Sequence, residues 1–152
     1  MPMKYKYAIL FLTILFGIVF PLKSTAQMGD VRAGAGLVFG EDDIGIQIGS
    51  TYQFNPSFRF GADLIYWFID NVDSYGVNGN INYVFHHRRD LLLYGLGSVG
   101  FHVLDQNTSE LAFGIGAGLE YDLRGPVLFS ELNFFINGFD QAALAVGLRY
   151  RL

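Results

Sequence analysis

The 152-residue sequence contains no cysteine. That excludes a disulfide framework, a thiolate metal centre and a cysteine-linked lipid. Lysine is almost as scarce, and all three, Lys4, Lys6 and Lys23, lie within the first 23 residues. Charged residues make up only 16% of the chain, well below the roughly 25–35% of soluble surfaces. No basic patch is left to meet nucleic acid. Beyond residue 26 no apolar run approaches the roughly 18 residues of a transmembrane helix.

What is present begins with a removable leader. Lys4 and Lys6 precede the apolar run Ala8–Phe20, followed by Pro21 and the small residues Ser24-Thr25-Ala26. This is the order of a secretory signal peptide, and 13 apolar residues fall short of the roughly 20 that a spanning helix needs. The order predicts cleavage after Ala26 and a single domain over 27–152. That domain would carry seven arginines against 14 acids, a net charge of −7 with no lysine.

The rest alternates with period 2, broken at regular intervals by turn residues. The alternation predicts strands at Val31–Phe39, Ile44–Phe54, Phe58–Phe68, Tyr75–His86, Leu91–Val103, Leu111–Tyr121, Leu128–Ile136 and Leu144–Leu152. In Leu91–Val103 the phase is ambiguous: Val99, Phe101 and Val103 favour one face while Leu92, Tyr94 and Leu96 occupy the other, which admits a bulge. Eight strands share 126 residues, about 16 each, enough for the 9–11 residues of a membrane β-strand and a short loop.

Each strand has an apolar face and a mixed face of Gly, Ala and Asn with a few charges. A mixed face this small cannot solvate a protein, but it suits the inside of an eight-stranded barrel. The apolar face then meets lipid. Gly34, Gly36, Gly114, Gly116 and Gly118 would make room for Trp67, Phe129, Phe135 and the arginines. Aromatics cluster near strand ends: Tyr52, Phe54, Phe58, Phe60, Tyr83, Phe85, Tyr121 and Tyr150 at one rim, Tyr66, Phe68 and Tyr75 at the other. Because lipid satisfies no free sheet edge, the strands must close. The reading is all-β: a closed, antiparallel, eight-stranded transmembrane (outer-membrane) β-barrel.

These alternating strands, the GxGxG-type runs and the last strand Leu144–Leu152 resemble the small bacterial outer-membrane barrels of the OmpA/OmpX-like superfamily. The resemblance is one of pattern, over nearly all of 27–152. It implies a Gram-negative outer membrane, periplasmic termini, contact with membrane lipid and lipopolysaccharide, and assembly machinery reading the C-terminal strand. Family members end that strand in an aromatic; here Tyr150 is followed by Arg151 and Leu152.

Other motifs have plainer readings. Gly95-Leu96-Gly97-Ser98-Val99-Gly100 spells GxGxxG, but no helix follows to meet a pyrophosphate. His86-His87-Arg88-Arg89 reads as a turn, since adjacent strand residues face opposite ways. Asn107-Thr108-Ser109 is a loop. Lipid A deacylases of similar architecture carry a His-x-Ser pair, whereas His102 is followed by Val103 and Leu104. Ser109 and Glu110 lie across the loop. Glu41, Asp42, Asp43, Asp70, Asp73, Asp105 and Asp140 form an acidic outer rim whose oxygens suit Ca²⁺ or Mg²⁺, read here as a solvated rim. Arg88, Arg89 and Arg124 fall on the opposite turns.

The mixed face predicts one constellation, an internal ion-pair network of Arg32, Arg59, Asp63, Glu120, Glu131 and Arg149, with Arg151 nearby, because buried charges need partners. The outward small positions Ala33, Ala35, Gly79, Ala117 and Ser130 are a candidate surface for packing against another barrel. No cofactor, metal site or catalytic residue is expected. The expected function is a non-enzymatic structural barrel with a filled interior and outer loops of about four to five residues. The alternative is an accessory subunit of a larger outer-membrane complex.

Overall fold

The computed structural model describes residues 29–69, 72–105, 108–136 and 141–152. The segment read as a signal peptide lies outside them. Eight strands follow in chain order: β1 (Val31–Phe39), β2 (Ile44–Gln53), β3 (Phe58–Ile69), β4 (Val72–Arg88), β5 (Leu91–Asp105), β6 (Thr108–Asp122), β7 (Val127–Ile136) and β8 (Gln141–Arg151). Each pairs antiparallel with the next, and β1 pairs with β8, so the sheet closes on itself. At the terminal end the chain turns through 54–57, 89–90 and 123–126. The other end is called the far end below.

Alternation sorts side chains as the period-2 pattern requires. Ile115 is 66% exposed and Phe101 63%, whereas Trp67 and Arg59 are 1% exposed. Apolar residues outside and charges inside reverse the soluble arrangement, and a closed sheet with this exterior is a transmembrane barrel. Outward aromatics pair near the strand ends. Phe58 and Tyr83 have ring centroids 5.3 Å apart, Phe54 and Phe60 5.9 Å, and Tyr66 and Phe68 5.6 Å.

The strands run further than the apolar pattern. Phe68 pairs with Asp73 and Ile69 with Val72, and Asp105 pairs with Thr108. Strands are therefore separated by two to four residues: of the outer connections, 40–43 and 137–140 have the expected four, while 70–71 and 106–107 have two. Asp73, Asp105, Thr108 and Ser109 belong to strands rather than loops, as do His87 and Arg88. Polar extensions keep pairing after the lipid-facing alternation has ended, so hydrophobicity does not report them.

β5 keeps a single phase. Leu92, Tyr94 and Leu96 are buried inside with His102, while Val99 and Phe101 are exposed. The register shift lies opposite, in β4 between Val84 and His86, and a second occurs in β5 between Val103 and Asp105. The interior accepts apolar side chains here because Val84, Leu92, Tyr94 and Leu96 form their own buried cluster.

Towards the far end the interior is filled by Val38, Ile65, Trp67, Ala112, Phe135, Ala143 and Ala145, and Phe129 extends this cluster to Arg149. Close approaches explain several glycines. A Cβ on Gly118 would lie 2.4 Å from Tyr94 Cζ, and one on Gly147 would lie 2.7 Å from a Phe129 ring carbon. At Gly36 the atoms nearest an added Cβ belong to the Val146 and Gly147 backbone, at Gly114 to Ser98 and Asn133, and at Gly116 to Leu132 and Asn133.

Candidate functional site

The charged part of the interior occupies the terminal half and is built around Glu120. Even-numbered residues of β6 face inward, and Glu120 near its end is 2% exposed. Three arginines from three other strands converge on it. Arg32 Nη1 donates to Oε2 at 2.6 Å, Arg59 Nη1 to both oxygens at 2.9 Å, and Arg149 Nη1 to Oε1 at 2.5 Å. Arg149 Nη2 also donates to Glu131 Oε1 at 2.6 Å. Charge-assisted bonds of this kind are short and strong, and they satisfy carboxylates that could not otherwise remain charged in a dry interior.

Aromatic rings hold the guanidiniums in place. Arg59 Cζ lies 4.5 Å from the Tyr94 ring centroid, and Arg149 Cζ lies 4.0 Å from that of Phe129. Tyr94 also donates its hydroxyl proton to Glu131 Oε1 at 2.5 Å and accepts from Arg149 Nη1 at 3.2 Å. At the terminal rim Arg32 Nε bonds Asp30 Oδ2 at 3.0 Å. Arg151 lies 3.4 Å from Asp30 and 3.5 Å from Asp122.

The structure therefore brings Arg32, Arg59, Glu120, Glu131 and Arg149 together, with Arg151 at the rim. Asp63 stands apart. Its Oδ1 accepts from Asn78 Nδ2 at 2.9 Å and its Oδ2 from Asn80 Nδ2 at 2.8 Å, and it makes no ion pair among the described residues. The sequence reading leaves out Asp30 and Tyr94. Asp30 shares parity with Arg32 one step before the first apolar residue of β1. Tyr94 shares parity with His102, but sits in the strand whose phase is ambiguous.

Solved structures similar to this one include transmembrane barrels. The N-terminal β-barrel domain of Pseudomonas aeruginosa OprF is 12% identical, with a TM-score of 0.70 over 82% of this chain and 98% of that one. A de novo designed transmembrane β-barrel is 15% identical, with a TM-score of 0.66 over 85% of this chain and all of that one. Neisserial surface protein A is also 15% identical, with a TM-score of 0.61 and coverage of 85% and 100%. The fold is that of the small eight-stranded outer-membrane barrels. No protein-family model and no curated protein matches the sequence.

The barrel is filled. Two voids between its packed side chains measure about 20 Å³ and about 10 Å³, and about 10–15 Å³ holds one water. The other candidate residues fall as follows. Ala33 pairs with Ser50, Ser50 with Ala62, and Ala62 with Gly79. These four make an outward row of small residues across β1 to β4, with Ala35 one outward position further along β1. Ala117 and Ser130 are on β6 and β7 and do not join it. Ser50 and Ala62 are missed from sequence because a row across strands shows only once the register is known.

Asp70 and Asp140 of the acidic rim lie outside the described residues, while Glu41 and Asp42 are exposed. Among the described residues no three His, Cys, Asp or Glu side chains are grouped to hold a metal. His86 and His87 are exposed at the terminal end of β4.

Proposed function

We propose that this chain is a non-enzymatic integral barrel of a Gram-negative outer membrane, with a structural role. In this reading residues 1–26 are removed on export, and both termini face the periplasm. The observation that carries it is the filled interior, where Trp67, Arg59, Tyr94, Phe129 and Glu120 are fully buried and a void between the side chains measures about 20 Å³. An interior packed with side chains conducts no solute, and strands joined by two to four residues offer little loop surface for capturing ligands. The basic residues Arg88, Arg89 and Arg124 lie at the terminal end, and exposed Glu41 and Asp42 at the far end, which supports the stated orientation. Its surroundings would be membrane lipid and lipopolysaccharide, and its C-terminal strand would be the segment read by assembly machinery.

The positions of His102 and Ser109 favour a non-enzyme. His102 is 1% exposed inside the barrel, with Nε2 2.9 Å from Asn78 Oδ1 and its ring 5.1 Å from that of Phe135. Ser109 pairs with Val103 and shares its outward parity. A nucleophile and its base need hydrogen-bond contact, and these two lie on opposite faces of the sheet.

The row Ala33–Ser50–Ala62–Gly79 favours a second reading, an accessory subunit whose apolar exterior seats another membrane protein. Small residues let backbones approach closely where lipid gives no hydrophobic drive. Purification in mild detergent with an affinity tag separates the two readings. A lone, heat-modifiable monomer is the expected result, and a stoichiometric partner would transfer the conclusion to the subunit.

A further inference from the structure

We propose that the middle of this barrel holds a single alkali cation of sodium size, bound by oxygens of Asp63, Glu131, Gln47 and Asn133. The proposal goes beyond the structural role above and does not depend on it.

The first observation is an imbalance of charge. From Asp63 down to the terminal rim, the interior carries the acids Asp30, Asp63, Glu120, Asp122 and Glu131 and the arginines Arg32, Arg59, Arg149 and Arg151. Asp30, Glu120, Asp122 and Glu131 each lie within 3.5 Å of an arginine nitrogen. Asp63 does not, and among the described residues it receives two amide hydrogen bonds. Five carboxylates against four guanidiniums leave one negative charge without a counterion, and a buried charge needs one.

The second observation concerns the space beside that carboxylate. A cavity of about 20 Å³ is lined on its polar side by Asp63, Glu131, Gln47, Asn80 and Asn133. Gln47 is only 7% exposed, and its carbonyl Oε1 accepts no hydrogen bond. Asn133 Oδ1 also accepts none, while its Nδ2 donates to Ser98 Oγ at 3.2 Å. The void thus has two unused carbonyl oxygens and two carboxylates on its walls.

The donor set selects the occupant. A water donates two hydrogen bonds, too few for four acceptor groups, and leaves the charge uncancelled. A divalent ion takes about six or more oxygens and would overcompensate a single charge. One monovalent cation supplies the missing charge and uses carbonyl and carboxylate oxygens alike, and the void is large enough for about one water-sized particle.

The test is thermal unfolding of the refolded full barrel in sodium chloride against N-methyl-D-glucamine chloride, at equal ionic strength and pH 8. Mass action then predicts a melting temperature that rises by roughly 4 °C per tenfold increase in sodium above the dissociation constant. Asp63→Asn and Gln47→Leu should each remove the dependence. Identical melting in the two salts overturns the proposal, because a proton or a water then occupies the site. So does sodium dependence that persists in Asp63→Asn. Should the variants fail to fold, crystals of the unaltered protein grown with thallium(I) decide the matter. An anomalous peak between Gln47 and Asp63 is expected, and its absence overturns the proposal.

Discussion

Gly34 and Arg149 face each other across the seam where β1 meets β8. A Cβ on Gly34 would lie 2.6 Å from Arg149 Cγ and 2.4 Å from the Leu148 carbonyl oxygen. Arg149 reaches both Glu120 and Glu131 because its strand partner has no side chain to displace it.

Gly34→Ala should therefore destabilise the barrel by about 1–3 kcal/mol, the usual cost of overpacking. Gly79 is the control: a Cβ there comes no nearer than 4.0 Å to Val99 O, and Gly79→Ala should leave stability unchanged or raised. The folded fraction on unheated gels, followed against urea, measures both. Equal losses at the two positions would contradict this account.

Glu120→Gln leaves three guanidiniums around a neutral amide. Breaking a buried charge cluster from one side costs about 3–5 kcal/mol, so a large loss in urea stability is expected. Arg151→Gln touches only the rim, where its separations are 3.4 and 3.5 Å, and should cost at most about 1 kcal/mol. A ranking in the opposite order would remove Glu120 from the centre of the network.

Much of this architecture is legible in the sequence. β1 begins and ends where the alternation does, and Arg32, Arg59, Glu120, Glu131 and Arg149 share inward parity on their strands. Parity says which face a residue occupies but not its height, so Asp63 is grouped with the arginines although it hydrogen-bonds asparagines. β5 conceals its phase because both of its faces are apolar. The row through Ser50 and Ala62 depends on how strands are staggered, and that stagger is set by pairing rather than by composition.

Tyr94→Phe keeps the ring beneath Arg59 but loses the hydroxyl that joins Glu131 and Arg149. An unsatisfied buried partner costs about 1–3 kcal/mol, and that loss is expected in the same urea assay. Gly118→Ala should be more damaging, since the new methyl would meet the Tyr94 ring at 2.4 Å. Combined with Tyr94→Leu it should be partly rescued, and a double-mutant cycle measures that coupling. Strict additivity would show that the two positions do not touch.

In planar bilayers the intact protein should show no unitary conductance steps, because the interior is packed from the Arg59–Glu120 cluster to Trp67. Trp67→Gly removes a large, fully buried side chain towards the far end but leaves the charged cluster in place, and should also remain silent. Steps in the intact protein would show a path that the packing does not contain.

The strands are unequal in length. β4, β5 and β6 have 17, 15 and 15 residues, while β1, β2, β7 and β8 have 9, 10, 10 and 11. At about 3.3 Å per residue and a tilt of about 40°, the wall flanking the β1–β8 seam barely matches an apolar band of about 25 Å, while the opposite wall overshoots it. The excess is the polar extension of these strands, so lipid meets one apolar band all round while a single wall of paired strand stands taller in the water.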